Sequence, residues 1–397
     1  MSKILAVNAG SSSLKFKMYD MPSERVICAG IADRIMHDDG IFKIEFNGET
    51  HKQVLPIKDH SVAVSLLLDA LIKEGIVSSL EEIEGIGHRI VQGGSYFSGS
   101  VIFDEDAENK IESLIELAPL HNKAHLIGYR AFRDALPDVR HVAVFDTAFH
   151  QTMAPVDYLY PIPYEYYEKY QIRRYGAHGT SHQYLANECR KYFKKPSGNR
   201  IITCHLGSGA SISAIMDDKC VATSMGLTPL GGIMMGTRSG DIDPSVFSFA
   251  MKKTGLSAEE MYQVLNKKSG FLGVSGISND SRDIEKAMKE GNERAILAND
   301  LFIRRVLDFI GQYYVRLGGC DFLIFSAGIG ENVPMYRKLI TDGLKSALGI
   351  EINDDINNSL RGKEGVISTE NSKVTVLVIP TNEEVMIARD TVRLLKL

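Results

Sequence analysis

Two stretches of the chain share one pattern of apolar and polar positions. Residues 201–217 (IITCHLGSGASISAIMD) form an apolar run, a turn of small residues and a second run in which apolar and small polar residues alternate. Residues 4–20 (ILAVNAGSSSLKFKMYD) repeat that layout at one constant offset, which sets Gly10 against Gly207, Ser11 against Ser208 and Asp20 against Asp217. β-Branched and alternating residues favour strands, and the small residues allow a turn whose backbone can approach a ligand closely. Each stretch therefore reads as strand, tight turn, strand. A register shared from first strand to final Asp predicts two related half-molecules, each with a phosphate-sized turn facing a common cleft.

Further short strands are predicted at 25–31 and 41–46, with His37, Asp38, Asp39 and Gly40 as the turn between them, and a helix at 61–74. A strand at 86–91 runs into Gln92, Gly93, Gly94 and Ser95; helices follow at 105–116 and 121–136, the second ended by Pro137. The strand at 139–145 delivers Asp146 at its C-terminal end, where open α/β sheets place ligand-binding groups. Residues 151–175 are rich in Pro and Tyr without clear periodicity and read as a passage between domains. In the second half, a glycine-punctuated loop (174–182, RYGAHGTSH) opens a helix at 182–192, and a glycine-rich loop at 221–240 carries Arg238. Helices are expected at 258–267, 282–289 and 292–317, then a strand at 322–325 leading to SAGIGEN and one at 374–379 leading to Thr381, Asn382, Glu383, Glu384 and a last helix. In both halves strands come first, then strand and helix alternate, the order of a duplicated α/β domain with mixed sheets. The predicted division is an N-terminal domain over 1–150, joined by a C-terminal helix over 384–397 packing back on it, and a C-terminal nucleotide-binding domain over 151–383.

Composition narrows the picture. A chain of 397 residues suits about two cores. A formal net charge of −5 with 24% charged residues gives no general attraction to nucleic acid or an anionic membrane, so any basic site is local. The five cysteines are scattered and without CxxC pairs, as reduced thiols of a cytoplasmic protein would be. The best apolar run, 62–72, is broken by Ser65 and Asp69, so no spanning or signal segment is expected.

No GxxxxGK[ST], complete GxGxxG or His-Arg-Asp loop occurs, which removes the P-loop, Rossmann and protein-kinase readings. What remains are glycine turns at Gly10, at Gly207 to Gly209 and at Gly328 to Gly330, each beside a strand end. Arg89 (IGHRIVQGG) and Arg238 (GTRSGD) suit carboxylate or phosphate, whose oxygens a guanidinium takes bidentately; alternatively Arg238 is a structural partner of Asp241. Asp146 ends an apolar strand, so its carboxylate is paired, metal-linked, facing a cleft or capping a helix. Glu383 and Glu384 suit Mg²⁺ or simply the first turn of a helix. The pairs His178/His182 and His121/His125 lack the Glu of HExxH and any completing ligand, so zinc is a weak reading and His178 fits better as a donor to an oxyanion. His37, His51, His60 and His141 read as surface or core residues without chemistry.

At this point the motifs NAGSSSLKF, GHRIVQGG, APLHN, VFDTAFH, YGAHGTSH, HLGSGAS, TSMGLTPLGG, MMGTRSGDIDP, SAGIGEN and PTNEE together resemble, over essentially the whole chain, the short-chain carboxylate kinases, whose type member is acetate kinase and whose near relative is propionate kinase. The resemblance implies two duplicated ribonuclease H-like domains of the actin, Hsp70 and sugar kinase type with a central cleft, a homodimer, ATP as co-substrate and Mg²⁺ (or Mn²⁺) as cofactor. It implies that Arg89, Arg238, His178 and Asp146 are catalytic, and that Arg89, Val91, Leu120, His121 and Pro229 bind the acyl substrate. Lys15, His205, Gly207, Ser208, Gly209, Asp280, Arg282, Gly328, Ile329, Gly330 and Asn332 would bind the nucleotide, and Asn8 and Glu383 the metal. The implied partners are a small carboxylate and ATP, with no nucleic acid and no membrane.

Several positions depart from the family's pattern. Ser208 stands for the usual Asn, Ala177 for Phe, Ser281 for Phe, and Gln92 and Ser95 for His and Glu. Ala177 is expected to open space for a longer acyl chain, propionate or butyrate, and Ser208 and Ser281 to alter the phosphate-donor contact, even towards a donor other than ATP. Two rival readings share the fold. An ATP-gated actin- or Hsp70-like binding protein leaves the arginine motifs without purpose, and a sugar kinase conflicts with the apolar Val91, Leu120 and Pro229.

Overall fold

The computed structural model describes residues 2–119 and 121–397, and the chain divides into two compact units. One comprises Met1–Phe149 with Asn382–Leu397, the other His150–Thr381.

The first unit is built on strands β1 (Ser2–Ala9), β2 (Ser13–Met21), β3 (Arg25–Asp33), β4 (His37–Phe46), β5 (Glu49–Ile57), β6 (Ile83–Ile90), β7 (Val101–Ile102) and β8 (His141–Phe145). They lie in the order β5-β4-β3-β2-β1-β6-β8-β7. Strands β1 to β5 form an antiparallel meander, while β6 runs parallel to β1 and β8 parallel to β6. Period-2 alternation sends Leu5, Val7 and Ala9 into a core closed by helices His60–Lys73 and Asn122–Ala135. The other face is covered by helix Glu383–Leu395. That helix lies close because β6 carries glycine there: a Cβ on Gly87 would come within 2.3 Å of Ile387 and 2.4 Å of Thr391. The approach holds Glu383 and Glu384 at the helix's first turn.

The second unit uses β9 (Arg200–Leu206), β10 (Ala210–Met216), β11 (Lys219–Thr223), β12 (Phe322–Ser326), β13 (Gly365–Val366) and β14 (Thr375–Val378), in the order β11-β10-β9-β12-β14-β13. Here too an antiparallel meander, of three strands where the first unit has five, is followed by two strands parallel to its first. The long helix Glu293–Leu317 buries Phe302, Val306, Ile310 and Tyr313 in its core. The echo seen in the sequence is thus a repeated mixed α/β architecture, and the turns between β1 and β2 and between β9 and β10 stand at the repeated positions.

The structure corrects some expected elements. Residues His37 to Gly40 belong to β4; the turn lies earlier, at Arg34 and Met36, both at positive φ, where bulky side chains give no turn signal. Strand β5 was not expected because it is a largely exposed edge strand of polar sequence. SAGIGEN does not form a plain turn: after Ser326 it coils into a short helix, Ala327–Asn332, entered through Ala327 at φ +62. Residues 151–175 hold two short helices, Pro155–Tyr158 and Glu165–Tyr170, and Pro334–Leu348 is a further helix.

Candidate active site

In the first unit the polar residues gather at the C-terminal ends of the parallel strands. Arg89 sits near the end of β6 and Asp146 follows β8, where its amide continues the ladder by donating to the Ile90 carbonyl. This neighbouring placement puts the Arg89 guanidinium on the Asp146 carboxylate, with Nη2 2.6 Å from Oδ2 and Nε 3.2 Å from both oxygens. Asp146 is fully buried. Burial alone would lower the Arg89 pKa, but the charges of Asp146 and Glu383 outweigh it and hold the group above its ordinary value. Glu383 shows the opposite balance. Burial pushes its carboxyl up to about 7 against the pull of Arg89, with Asp146 and Glu384 adding to the rise. Glu384 lies 3.2 Å from Lys17, and Asn382 caps the helix while accepting from Tyr19.

Val91, 5% exposed, lies two residues after Arg89. The loop beyond it is pinned by Asn122, which accepts from the Gln92 amide at 3.1 Å and donates to the Gln92 carbonyl at 2.9 Å. His121 directly precedes Asn122; Leu120 lies outside the described residues. Asn8 and Lys15 pair across β1 and β2, Asn8 partly buried and Lys15 exposed. His125 is buried near Arg89, His121 and Asp146, and burial holds its pKa down at about 3.

In the second unit the turn of Gly207, Ser208 and Gly209 gathers three cationic or potentially cationic side chains. A Cβ on Gly209 would lie 3.4 Å from Arg238 Nη1 and 3.6 Å from His178 Nε2, and one on Gly207 would lie 3.8 Å from His205 Nε2. The missing side chains therefore leave backbone facing these groups. The turn is fixed by the Gly207 amide donating to the Gly209 carbonyl and by the Gly236 amide donating to the Ser208 carbonyl, while the Ser208 side chain is exposed. Arg238 donates to the Pro229 carbonyl at 3.1 Å, so Pro229 is drawn to the guanidinium. Asp241 is not its partner, because that carboxylate accepts instead from the Gly232 amide at 2.7 Å. Among the described residues no carboxylate pairs with Arg238, and burial lowers its pKa.

His178 enters helix Gly179–Cys189 at φ +58, a left-handed conformation costly for a non-glycine residue. Its ring stacks on His205 with centroids 4.1 Å apart. Ala177, which precedes His178, is buried in the second unit's core. Glu331 holds the SAGIGEN segment by accepting from the amides of Ala327 at 2.7 Å and Thr381 at 3.0 Å, and Asn332 donates to the Gly328 carbonyl. Ile329 is buried, whereas a side chain on Gly328 would meet nothing. Asp280 caps helix Ser281–Lys289, and its pKa falls to about 2 through its bond to the exposed Arg282.

Sequence reasoning did not single out Asn122, Ser181 or Ser211. A signal for Ser211 was present: in the β9/β10 hairpin Thr203 and His205 pair with Ser213 and Ser211, a polar stripe inside a buried sheet. Such a stripe demands hydrogen-bond partners.

The comparisons with known proteins agree with one another. The model of the Acetokinase family matches residues 3–389. The acetate kinase of Geobacillus kaustophilus (strain HTA426) is 55% identical over 398 residues, covering 100% of both chains. Among solved structures, Porphyromonas gingivalis acetate kinase superposes with a TM-score of 0.94 at 45% identity, covering 100% of each chain. A propionate kinase from Francisella tularensis subsp. tularensis SCHU S4 gives 0.93 at 41%, covering 99% of this chain and 100% of that one. With a family match and an identity of this extent along its whole length, the chain belongs to the Acetokinase family.

Proposed function

We propose that this protein is an acetate kinase, which reversibly transfers the γ-phosphoryl group of ATP to acetate and yields acetyl phosphate and ADP. The observation that carries this reading is the Arg238 guanidinium: partly buried beside a glycine turn and a histidine, and without a carboxylate partner among the described residues, it calls for an anion. In this reading one acetate oxygen forms a bond to Pγ as the bond from Pγ to the bridging oxygen of ADP breaks in line. Acetate is already ionised at neutral pH, so no general base is needed and Asp146 is a positioner that holds Arg89. Arg89 would receive the acetate carboxylate on the edge not used by Asp146, and Val91, Leu120, His121 and Pro229 are the proposed acyl-binding residues. Arg238 and His178 would donate to the equatorial oxygens during transfer. Lys15, His205, Gly207, Ser208 and Gly209 would hold the phosphates, and Gly328, Ile329, Gly330, Asn332, Asp280 and Arg282 the adenosine.

Asn8 and Glu383 would hold the divalent cation: both offer oxygen, the donor such an ion takes, and the Glu383 carboxyl, pushed up to about 7 by burial and then by neighbouring acids despite Arg89, would be favoured in its charged form by a cation beside it. Mg²⁺, or Mn²⁺, would neutralise phosphate charge there when bound. A homodimer acting in the cytoplasm completes the reading; no helix among the described residues is long and apolar enough to cross a membrane.

Hydroxylamine trapping of the acyl phosphate tests the proposal. Hydroxamate should form from acetate and ATP, more weakly from propionate and butyrate, and not at all with glycerol or glucose in place of the carboxylate. ATP consumption with glucose but not with acetate would overturn it.

A further inference from the structure

Behind the two stacked histidines lies a chain of buried hydroxyl groups that the transfer chemistry does not itself require. Ser211 Oγ is fully buried, 2.9 Å from His178 Nδ1 and 2.8 Å from His182 Nε2. His182 Nδ1 lies 2.7 Å from Thr203 Oγ1. A serine hydroxyl has one proton and two lone pairs; were both rings to donate to Ser211, its own proton would be left without an acceptor, since His178 and His182 are the partners of Ser211 Oγ among the described residues, so the protons along this row run in one direction or the other. His182 is fully buried, and burial, with His150 and His205 nearby, holds its pKa well below the usual range. It therefore carries a single ring proton.

In the first order Thr203 donates to His182 Nδ1, His182 Nε2 donates to Ser211, and Ser211 donates to His178 Nδ1. A neutral His178 then carries its proton on Nε2, the nitrogen near Gly209. In the reverse order His178 Nδ1 donates to Ser211, Ser211 to His182 Nε2, and His182 Nδ1 to Thr203, whose hydroxyl is left with the Ser213 carbonyl at a poor 3.4 Å. A neutral His178 would then turn a lone pair towards the turn and repel phosphoryl oxygens, so with an anion bound that order requires an imidazolium. His205 is arranged in parallel: its Nδ1 lies 2.8 Å from Ser181 Oγ, itself 2.7 Å from Thr381 Oγ1. Two rings stacked at 4.1 Å resist being charged together, which favours the neutral order.

We propose that Ser211, backed by His182 and Thr203, is a positioning residue that sets the tautomer of His178, so that the ring presents an Nε2 proton to the anion at the glycine turn. A ring nitrogen's partner decides which nitrogen carries the proton, and a donor is of use to an anion only if its proton points there.

The inference rests on the reading of His178 as a donor to the transferring group, and the test separates the two. Full-length protein labelled with ¹⁵N-histidine is examined by two-bond ¹H–¹⁵N correlation, free and with ADP, at a pH where His178 is neutral. The wild-type His178 should be the Nε2–H form, and Ser211→Ala should shift it towards Nδ1–H. In the same variant kcat should fall on the order of tenfold or more while the KM for ATP changes by less than about twofold, and Ser211→Thr should restore both tautomer and rate. A wild-type His178 protonated at Nδ1, which needs no variant to observe, or a Ser211→Ala tautomer like the wild type's, overturns the proposal. A shifted tautomer with unchanged kcat supports the serine's control of the ring and overturns the catalytic reading of His178.

Discussion

Arg89 and Asp146 meet side by side from adjacent parallel strands, Nη2 to Oδ2 at 2.6 Å, with the carboxylate fully buried. The pair is both part of the candidate site and a buried ion pair, and removing one member leaves the other uncompensated. Arg89→Ala and Asp146→Ala should therefore each cost about 3 kcal/mol of stability. The double variant should lose clearly less than the sum, because no orphan charge of the pair remains. Urea midpoints of the four proteins measure this; strict additivity would show that the pair is not coupled.

Arg238 differs in having no acid partner among the described residues, so its removal breaks no ion pair. Arg238→Ala should change stability by less than about 1 kcal/mol and yet lower kcat on the order of 10²- to 10³-fold, with a much smaller effect on the KM for ATP. Arg238→Lys should not restore the rate, since an ammonium lacks the planar fork. An unchanged kcat in Arg238→Ala would remove this residue from the mechanism.

These contrasting partners show what sequence can and cannot carry. The repeated hairpin was legible because period-2 alternation and small turn residues recur at one offset, and they led directly to Gly207 and Gly209. The strand ends bearing Arg89 and Asp146 were legible as well, since apolar runs stop at those residues. Their pairing was not, because it depends on β6 and β8 being neighbours in the sheet, a long-range fact that local patterns do not contain. The same limit explains why Asp241, close to Arg238 in sequence, looked like its partner although it caps the Gly232 amide. Left-handed residues such as His178 and Ala327 escape notice for another reason, since tertiary contacts hold them where their own preferences would not.

Buried neutral histidines give the protein a predictable weakness in acid. Burial first, then neighbouring positive groups, holds the pKa of His125 down at about 3 and that of His141 at about 4, with His88 and His182 also well below 6.5. Because these folded values lie below the unfolded one, their contribution is fully present above about pH 6.5 and is lost as pH falls, by about 1.4 kcal/mol per pH unit for each group. Glu383 acts with the opposite sign, since its raised value stabilises the folded state as pH falls from about 7, but it is one group against four. The urea midpoint should drop markedly between about pH 7 and about pH 5, and His125→Asn should make that drop shallower. A flat profile over this interval would mean that the histidines are not held neutral.

Gly209 offers a way to separate the shape of the β9–β10 glycine turn from its stability. It does not occupy the positive-φ region, and a Cβ there would meet Arg238 Nη1 at 3.4 Å and the His178 ring at 3.6 Å, both ordinary van der Waals contacts. Gly209→Ala should thus fold with a stability within about 1 kcal/mol of the parent. Its methyl group would nevertheless stand between the two donors, on the surface that a phosphoryl group must reach if they act on it together. Loss of one preorganised donor costs on the order of 10²- to 10³-fold, and displacement of two should cost at least as much in kcat, while binding of adenosine alone is unaffected. A fully active Gly209→Ala protein would place the transferring phosphoryl group elsewhere than at Arg238 and His178.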